Sequence, residues 1–172
     1  MVILGVDPGL NATGFGVLDV LPSGLRVLAA GAIRPPRARP LADRLEVIYA
    51  GLSELLMRHR PATVVLEQVF THSRFVAAAT LIGHARGVAC LAARTHRVPL
   101  AEYAPARAKK ALTGAGQATK EQVARMVAHW LGSRDPSWSL DATDALALAI
   151  VHARLSRQRE RLPAAALAAG AR

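Results

Sequence analysis

Hydrophobic and polar positions alternate between two rhythms along this chain. Residues 2–6 are continuously apolar and end in Asp7-Pro8-Gly9. After PGLNAT comes a second extended run, residues 14–20. A turn at 22–24 leads into a third, residues 25–33. Three such runs joined by short turns predict an antiparallel meander. RPPRARP then interrupts the pattern. From 41 to 59 apolar residues recur at 41, 45, 48, 52, 55 and 56, the spacing of an amphipathic helix, which Pro61 closes. Residues 63–66 form a short β-branched run that ends at Glu67. A helix rich in small side chains is predicted over 75–93, with Gly83 and Gly87 four apart as a candidate packing or dimer surface. A fifth strand follows over 98–103. Helices at 105–112 and 119–131 flank GAGQAT, SRDPS reads as a loop, and a final helix runs from 140 to about 159. The tail beyond Pro163 lacks periodicity and is expected to fray. There is no internal repeat. Strands first, then strand–helix alternation, predict an α/β fold with helices packed on a sheet.

Composition narrows this picture. A chain of 172 residues predicts one domain, taken as 1–160 with a flexible tail over 161–172. Hydrophobic residues are 52% but aromatics only 4%, so the core is built from Ala, Val and Leu. Cys90 is the only cysteine, which excludes an internal disulfide or a cysteine-rich zinc site and suits a reducing, cytoplasmic setting. No basic leader with a cleavage site is visible. The apolar runs break well short of a ~20-residue membrane span, so no membrane partner is expected. Charge is more informative: 22 Lys and Arg against 12 Asp and Glu give +10. A domain this basic is expected to meet a polyanion, nucleic acid first. A merely basic surface is the plainer account.

Against that basic background, several apolar segments each deliver a carboxylate. Asp7 ends the first strand and Glu67 the fourth; if those strands are adjacent and parallel, both side chains emerge at one rim. Asp141 and Asp144 are three apart and share a helix face, near a helix start where the dipole favours negative charge. Each acid also has an ordinary explanation. Asp141 could serve only the helix start, Glu67 could be a plain strand-end residue, and Asp7 could initiate a turn. Clustered acids cost free energy unless cations offset them, and hard divalent ions such as Mg²⁺ take carboxylate oxygens. Two such ions could stabilise both the attacking water and the leaving oxygen of a phosphodiester.

ILGVDPGLNATGFGV, LEQVF, GHARGVA, GAGQATKEQV and DATDALALAI, in this order, resemble the RuvC family of bacterial Holliday-junction resolvases, from residue 2 to roughly 155. The resemblance implies a ribonuclease H-like fold, with a five-stranded mixed sheet flanked by helices. It implies a homodimer that binds four-way junction DNA and nicks two strands of like polarity symmetrically, in recombination and repair. It also implies service to a branch-migration motor (RuvA and RuvB). Carried over, the metal ligands are Asp7, Glu67, Asp141 and Asp144, holding two Mg²⁺ or Mn²⁺ ions. Position 141 is histidine in some members. Lys109 and Lys120 match basic residues near the scissile phosphate, with Lys120 counted in the catalytic set. Phe70 matches an aromatic that stacks on bases at the opened junction centre.

Read from spacing alone, Lys120, Lys109 and Lys110 could be plain helix surface, and Phe70 could be core. Arg74, Arg86, Arg107 and Arg125 are expected to extend the phosphate-binding surface. Gly9, Gly14 and Gly16 are expected to serve tight turns and close backbone approach. Two rival readings stand beside the nuclease. One is a non-catalytic junction-binding module, which the intact acid set disfavours. The other starts from DPGLNATG, which resembles the phosphate loop of actin-like ATPases and sugar kinases; those need two such domains, and this chain is too short.

Overall fold

The computed structural model describes residues 1–68, 76–133 and 138–161. Five strands run in the order β1 (Val2–Asp7), β2 (Thr13–Leu21), β3 (Gly24–Ile33), β4 (Thr63–Glu67) and β5 (Leu100–Tyr103). Five helices accompany them: α1 (Leu41–His59), α2 (Val76–Thr95), α3 (Pro105–Thr113), α4 (Lys120–Trp130) and α5 (Leu140–Arg161). The sheet order is β3-β2-β1-β4-β5. The β1–β2 and β2–β3 pairs are antiparallel, whereas β1–β4 and β4–β5 are parallel. The meander is as the hydrophobic pattern predicts, and the five-stranded mixed sheet is as the resemblance implies. Among the described residues no helix is long and apolar enough to cross a membrane.

Strand alternation sorts the core into two layers. Leu4 and Val6 of β1, with Val64 and Leu66 of β4, face α1 and α2 and pack on Ile48, Leu52, Leu56, Ala85 and Ala89. Ile3 and Val65 face the other way, into a cluster with Leu112 of α3, Val123 and Val127 of α4, and Leu146 and Ile150 of α5. Each fully buried Leu or Ile contributes about 2 kcal/mol. The same alternation assigns the strand ends. Asp7 shares a face with Ile3, and Glu67 with Val65, so both carboxylates belong to the α5 side of the sheet.

Glycine lets α5 lie directly on the strands. A Cβ at Gly5 would overlap the carbonyl oxygen of Ala145, and one at Gly14 would overlap that of Asp141. At Gly16 it would come within 2.7 Å of the Leu146 side chain. Gly14 and Gly16 thus serve close approach, and they do so inside β2 rather than in a turn. Gly83 and Gly87 differ: among the described residues an added Cβ would meet nothing within 4 Å, so neither glycine packs against them.

The helix ends follow from local chemistry. α1 stops at Arg60 in the left-handed region (φ 44), just before Pro61. α4 begins with a capping box: Thr119 accepts from the Gln122 amide, and the Gln122 side chain accepts from the Thr119 amide. α5 is capped by Ser139, whose hydroxyl accepts from the Ala142 amide at 3.3 Å. Its start therefore does not depend on Asp141.

Candidate active site

Parallel register brings the first two acids together. Val6 pairs with Leu66 across β1 and β4, so the next residue on each strand, Asp7 and Glu67, reaches the carboxyl end of the parallel pair side by side. Main-chain anchors hold both ends. Beyond Asp7, the Thr13 hydroxyl donates to the Gly9 carbonyl at 2.8 Å, and Arg44 of α1 donates to the Leu10 carbonyl at 3.0 Å and to Asn11 Oδ1 at 2.9 Å. The turn is closed by Thr13 and Arg44, which removes the plain turn-forming account of Asp7. Beyond β4, the Gln68 amide donates to the Tyr103 carbonyl at 2.9 Å, and Arg86 Nε donates to the Glu67 carbonyl at 3.4 Å.

α5 contributes the third acid. Asp7, Glu67 and Asp144 line one cavity of about 350 Å³ with Lys109 and Lys120. Pro105, Ala108, Leu112, Val123, Ala147 and Leu148 supply apolar wall. Lys120, at the first position of α4, places Nζ 3.8 Å from Asp144 Oδ2. The capping box fixes that position, and the T-K-E-Q spelling of residues 119–122 carries the signal for it in the sequence. Lys109 is half-buried at the wall.

The charges in this cavity oppose one another. Burial pushes the Asp7 carboxyl up to about 6, helped by Asp144 and Asp141 and resisted by Lys120. Glu67 is raised by burial and then by Asp7 and Asp144, with Lys109 and Lys120 pulling it down. Asp144 is raised mainly by burial; Lys120 counters it, Asp141 adds to it, and Lys109 lowers it. Burial and mutual repulsion thus penalise ionisation of all three carboxyls. As placed, they do not form a closed cage: among the described residues no group of three His, Cys, Asp or Glu side chains stands ready to hold an ion. The donor set nonetheless fits a divalent cation. Every donor is a hard carboxylate oxygen, the acids carry charge their surroundings disfavour, and a cation would relieve both penalties.

The remaining expectations divide. Asp141 does not line the cavity; its Oδ2 accepts from Arg34 Nη2 at 2.8 Å. Arg34 is the residue the sequence reading passed over, because a contact between partners 107 positions apart leaves no local signal. Lys110 is exposed and stays out of the cavity lining; its carbonyl accepts the Gly114 amide at the end of α3. Arg86 turns inward, pairing with Glu102 and touching Cys90 Sγ at 3.8 Å, so it braces β4, α2 and β5 instead of extending a phosphate surface. Arg107 lies over the Tyr103 ring, 5.8 Å from its centroid. Arg125 lines a separate groove with Thr113 and Gln122. Phe70 and Arg74 fall outside the described residues, as does the chain beyond Arg161.

Comparison with known proteins gives one consistent result. The family model described as "Crossover junction endodeoxyribonuclease RuvC" matches residues 3–152. A protein of that name from Oleidesulfovibrio alaskensis is 43% identical over 159 residues, 92% of this chain and 94% of the relative. The solved "Thermus thermophilus RuvC structure" superposes with a TM-score of 0.83 at 35% identity, covering 92% of this chain and 97% of that one. "T. thermophilus RuvC in complex with Holliday junction substrate" gives a TM-score of 0.82 at 33% identity, covering 92% and 96%.

Proposed function

The chain belongs to the RuvC family of crossover junction endodeoxyribonucleases, and from that premise we propose that it resolves Holliday junctions by hydrolysing phosphodiester bonds at the carboxylate cavity. The observation that carries the reading is the convergence of Asp7, Glu67 and Asp144, from two adjacent strands and a helix, in a cavity that also holds two lysines. Family members are metal-dependent nucleases. The finer assignment is two Mg²⁺ ions, with Mn²⁺ as a substitute, held by Asp7, Glu67, Asp144 and, once freed from Arg34, Asp141. Ions bound there would polarise the phosphate and lower the pKa of a bound water.

The protein's own groups do the positioning. Strand ends and a glycine-seated helix carry the carboxylates on rigid elements, which a precisely placed ligand set requires. Lys120 stands beside Asp144, where it can neutralise charge on a phosphate oxygen that enters the cavity. Lys109 does the same from the α3 wall. The apolar wall limits water around the reacting phosphate, which strengthens each of these interactions. The net charge of +10 steers DNA to the molecule without reading its sequence.

A homodimer, with one site for each nicked strand, belongs to the same proposal. Its support is the outer face of α2, where Leu81 and Leu91 are exposed at 47% and 57% and flank Gly83 and Gly87. Service to a branch-migration complex and action in the cytoplasm complete the reading.

The deciding experiment incubates the protein with a synthetic four-way junction and with a linear duplex of matched length, with and without divalent cation. Paired nicks are expected in the junction alone, and only with metal. Asp7→Asn should bind the junction and leave it uncut. Metal-independent nicking, or equal cutting of linear duplex, would overturn the assignment.

A further inference from the structure

Asp141 and Asp144 lie within one turn of α5 yet have different partners. Asp144 lines the cavity, beside Lys120. Asp141 is absent from that lining and is held by Arg34, the first residue after β3, with Nη2 at 2.8 Å from Oδ2. It is not needed as a helix cap, since Ser139 fills that role. It is still near enough to the other acids for its charge to bear on Asp7 and Asp144. Asp141 is therefore poised at the margin of the cavity and neutralised from outside it.

The partner is suited to letting go. The Arg34 side chain is 57% exposed and that of Asp141 34%, so solvent screens the pair and makes it weak. Pro35 and Pro36 follow Arg34 and restrict the backbone there, and Arg37 and Arg39 follow them. This basic run stands at the same end of the sheet as the acids, because Ala32 pairs with Gly14, and Gly14 with Asp7. The planar fork of a guanidinium fits the paired oxygens of a phosphate as it fits those of a carboxylate.

We propose that Arg34 is a positioning residue that keeps Asp141 out of the cation site in the DNA-free protein and surrenders it when a DNA backbone phosphate takes the guanidinium, so that DNA and divalent cation bind cooperatively. The proposal rests on the reading of Asp141 as a metal ligand. Arg34 and a cation compete for one carboxylate, and the competition ends when phosphate replaces carboxylate as the partner of Arg34. By linkage, metal must tighten DNA binding by the same factor as DNA tightens metal binding.

The test measures Mn²⁺ binding directly, from the electron paramagnetic resonance of free ion, on the intact protein alone and with a non-cleavable four-way junction. Removing a unit charge beside the site should tighten Mn²⁺ binding to DNA-free Arg34→Gln by roughly 3- to 10-fold. The additional tightening by junction should shrink by a similar factor. Arg34→Lys, which keeps the charge without the planar fork, should fall between wild type and Arg34→Gln and stands in for it should that variant fail to melt cooperatively. Unchanged or weaker Mn²⁺ binding in the Arg34 variants overturns the proposal. Asp141→Asn, measured on the junction-bound protein in which Asp141 is released, separates the two levels. If it weakens Mn²⁺ binding while Arg34→Gln changes nothing, only the role of Arg34 falls. If Asp141→Asn leaves Mn²⁺ binding intact, the ligand reading of Asp141 falls and takes the proposal with it.

Discussion

Asp7 carries a charge that burial and two neighbouring carboxylates oppose, and its folded pKa of about 6 lies above the ordinary 3.8. Well below pH 3.8 the group is neutral in both folded and unfolded chains, and its contribution to stability is fully present. As pH rises through the folded value that contribution is lost, up to about 3 kcal/mol in the metal-free protein. Asp7→Asn should therefore raise the metal-free melting temperature by about 3–8 °C at pH 7.5 and leave it nearly unchanged at about pH 3. Thermal melts at the two pH values check this, and equal melting of variant and wild type at pH 7.5 would remove the strain argued for the site. Lys120 is the chief opposing charge, and Lys120→Ala should slow junction cleavage at least about 100-fold while weakening junction binding only a few-fold. Equal losses in both assays would demote it to an affinity contact. At this scale the sequence marks Asp7, Glu67 and Asp144 as candidates, because a carboxylate at the edge of an apolar segment is conspicuous, and the fold brings the three to one cavity. The partner of Asp141 is not legible, since Arg34 reaches it only through the folded sheet.

Elements are more legible than contacts, because each is written in local periodicity. α1 has the bounds its apolar spacing predicts, and α4 starts where its capping box begins. β5 is shorter at its start than the run over 98–103 suggests: the Val98 amide is taken by the Ala93 carbonyl as α2 ends, before the ladder with β4 begins at Leu100. The seating of α5 was only partly visible. Close approach at Gly14 and Gly16 follows from their small size, but that Asp141 and Leu146 are what approach depends on sheet order. Gly14→Ala would drive a methyl into the Asp141 carbonyl. It should destabilise the fold by about 1–3 kcal/mol and cut cleavage by about 100-fold, since small displacements of catalytic groups cost that much. Melting and junction nicking measure the two effects; normal values for both would mean that α5 is not seated on that glycine.

Across the whole molecule the charge is lopsided in purpose: a protein of net +10 gathers acids into one cavity. Composition points to a polyanion and the acids to a cation, but no single-chain pattern encodes symmetry. The Gly83–Gly87 spacing was legible; that the two glycines point away from the chain's own core was not. If that face joins two copies, Gly87→Phe should convert dimers to monomers in sedimentation velocity and uncouple paired nicks into independent ones. Unchanged sedimentation would move the dimer seam elsewhere. The central strand has a consequence at this scale too. β1 has a neighbour on each side, β2 and β4, and helices over both faces, so its amides sit among the last to open. Fluctuations that loosen the sheet's margins or fray a helix end leave Asp7 in register with Glu67, and the pair persists until the molecule unfolds as a whole.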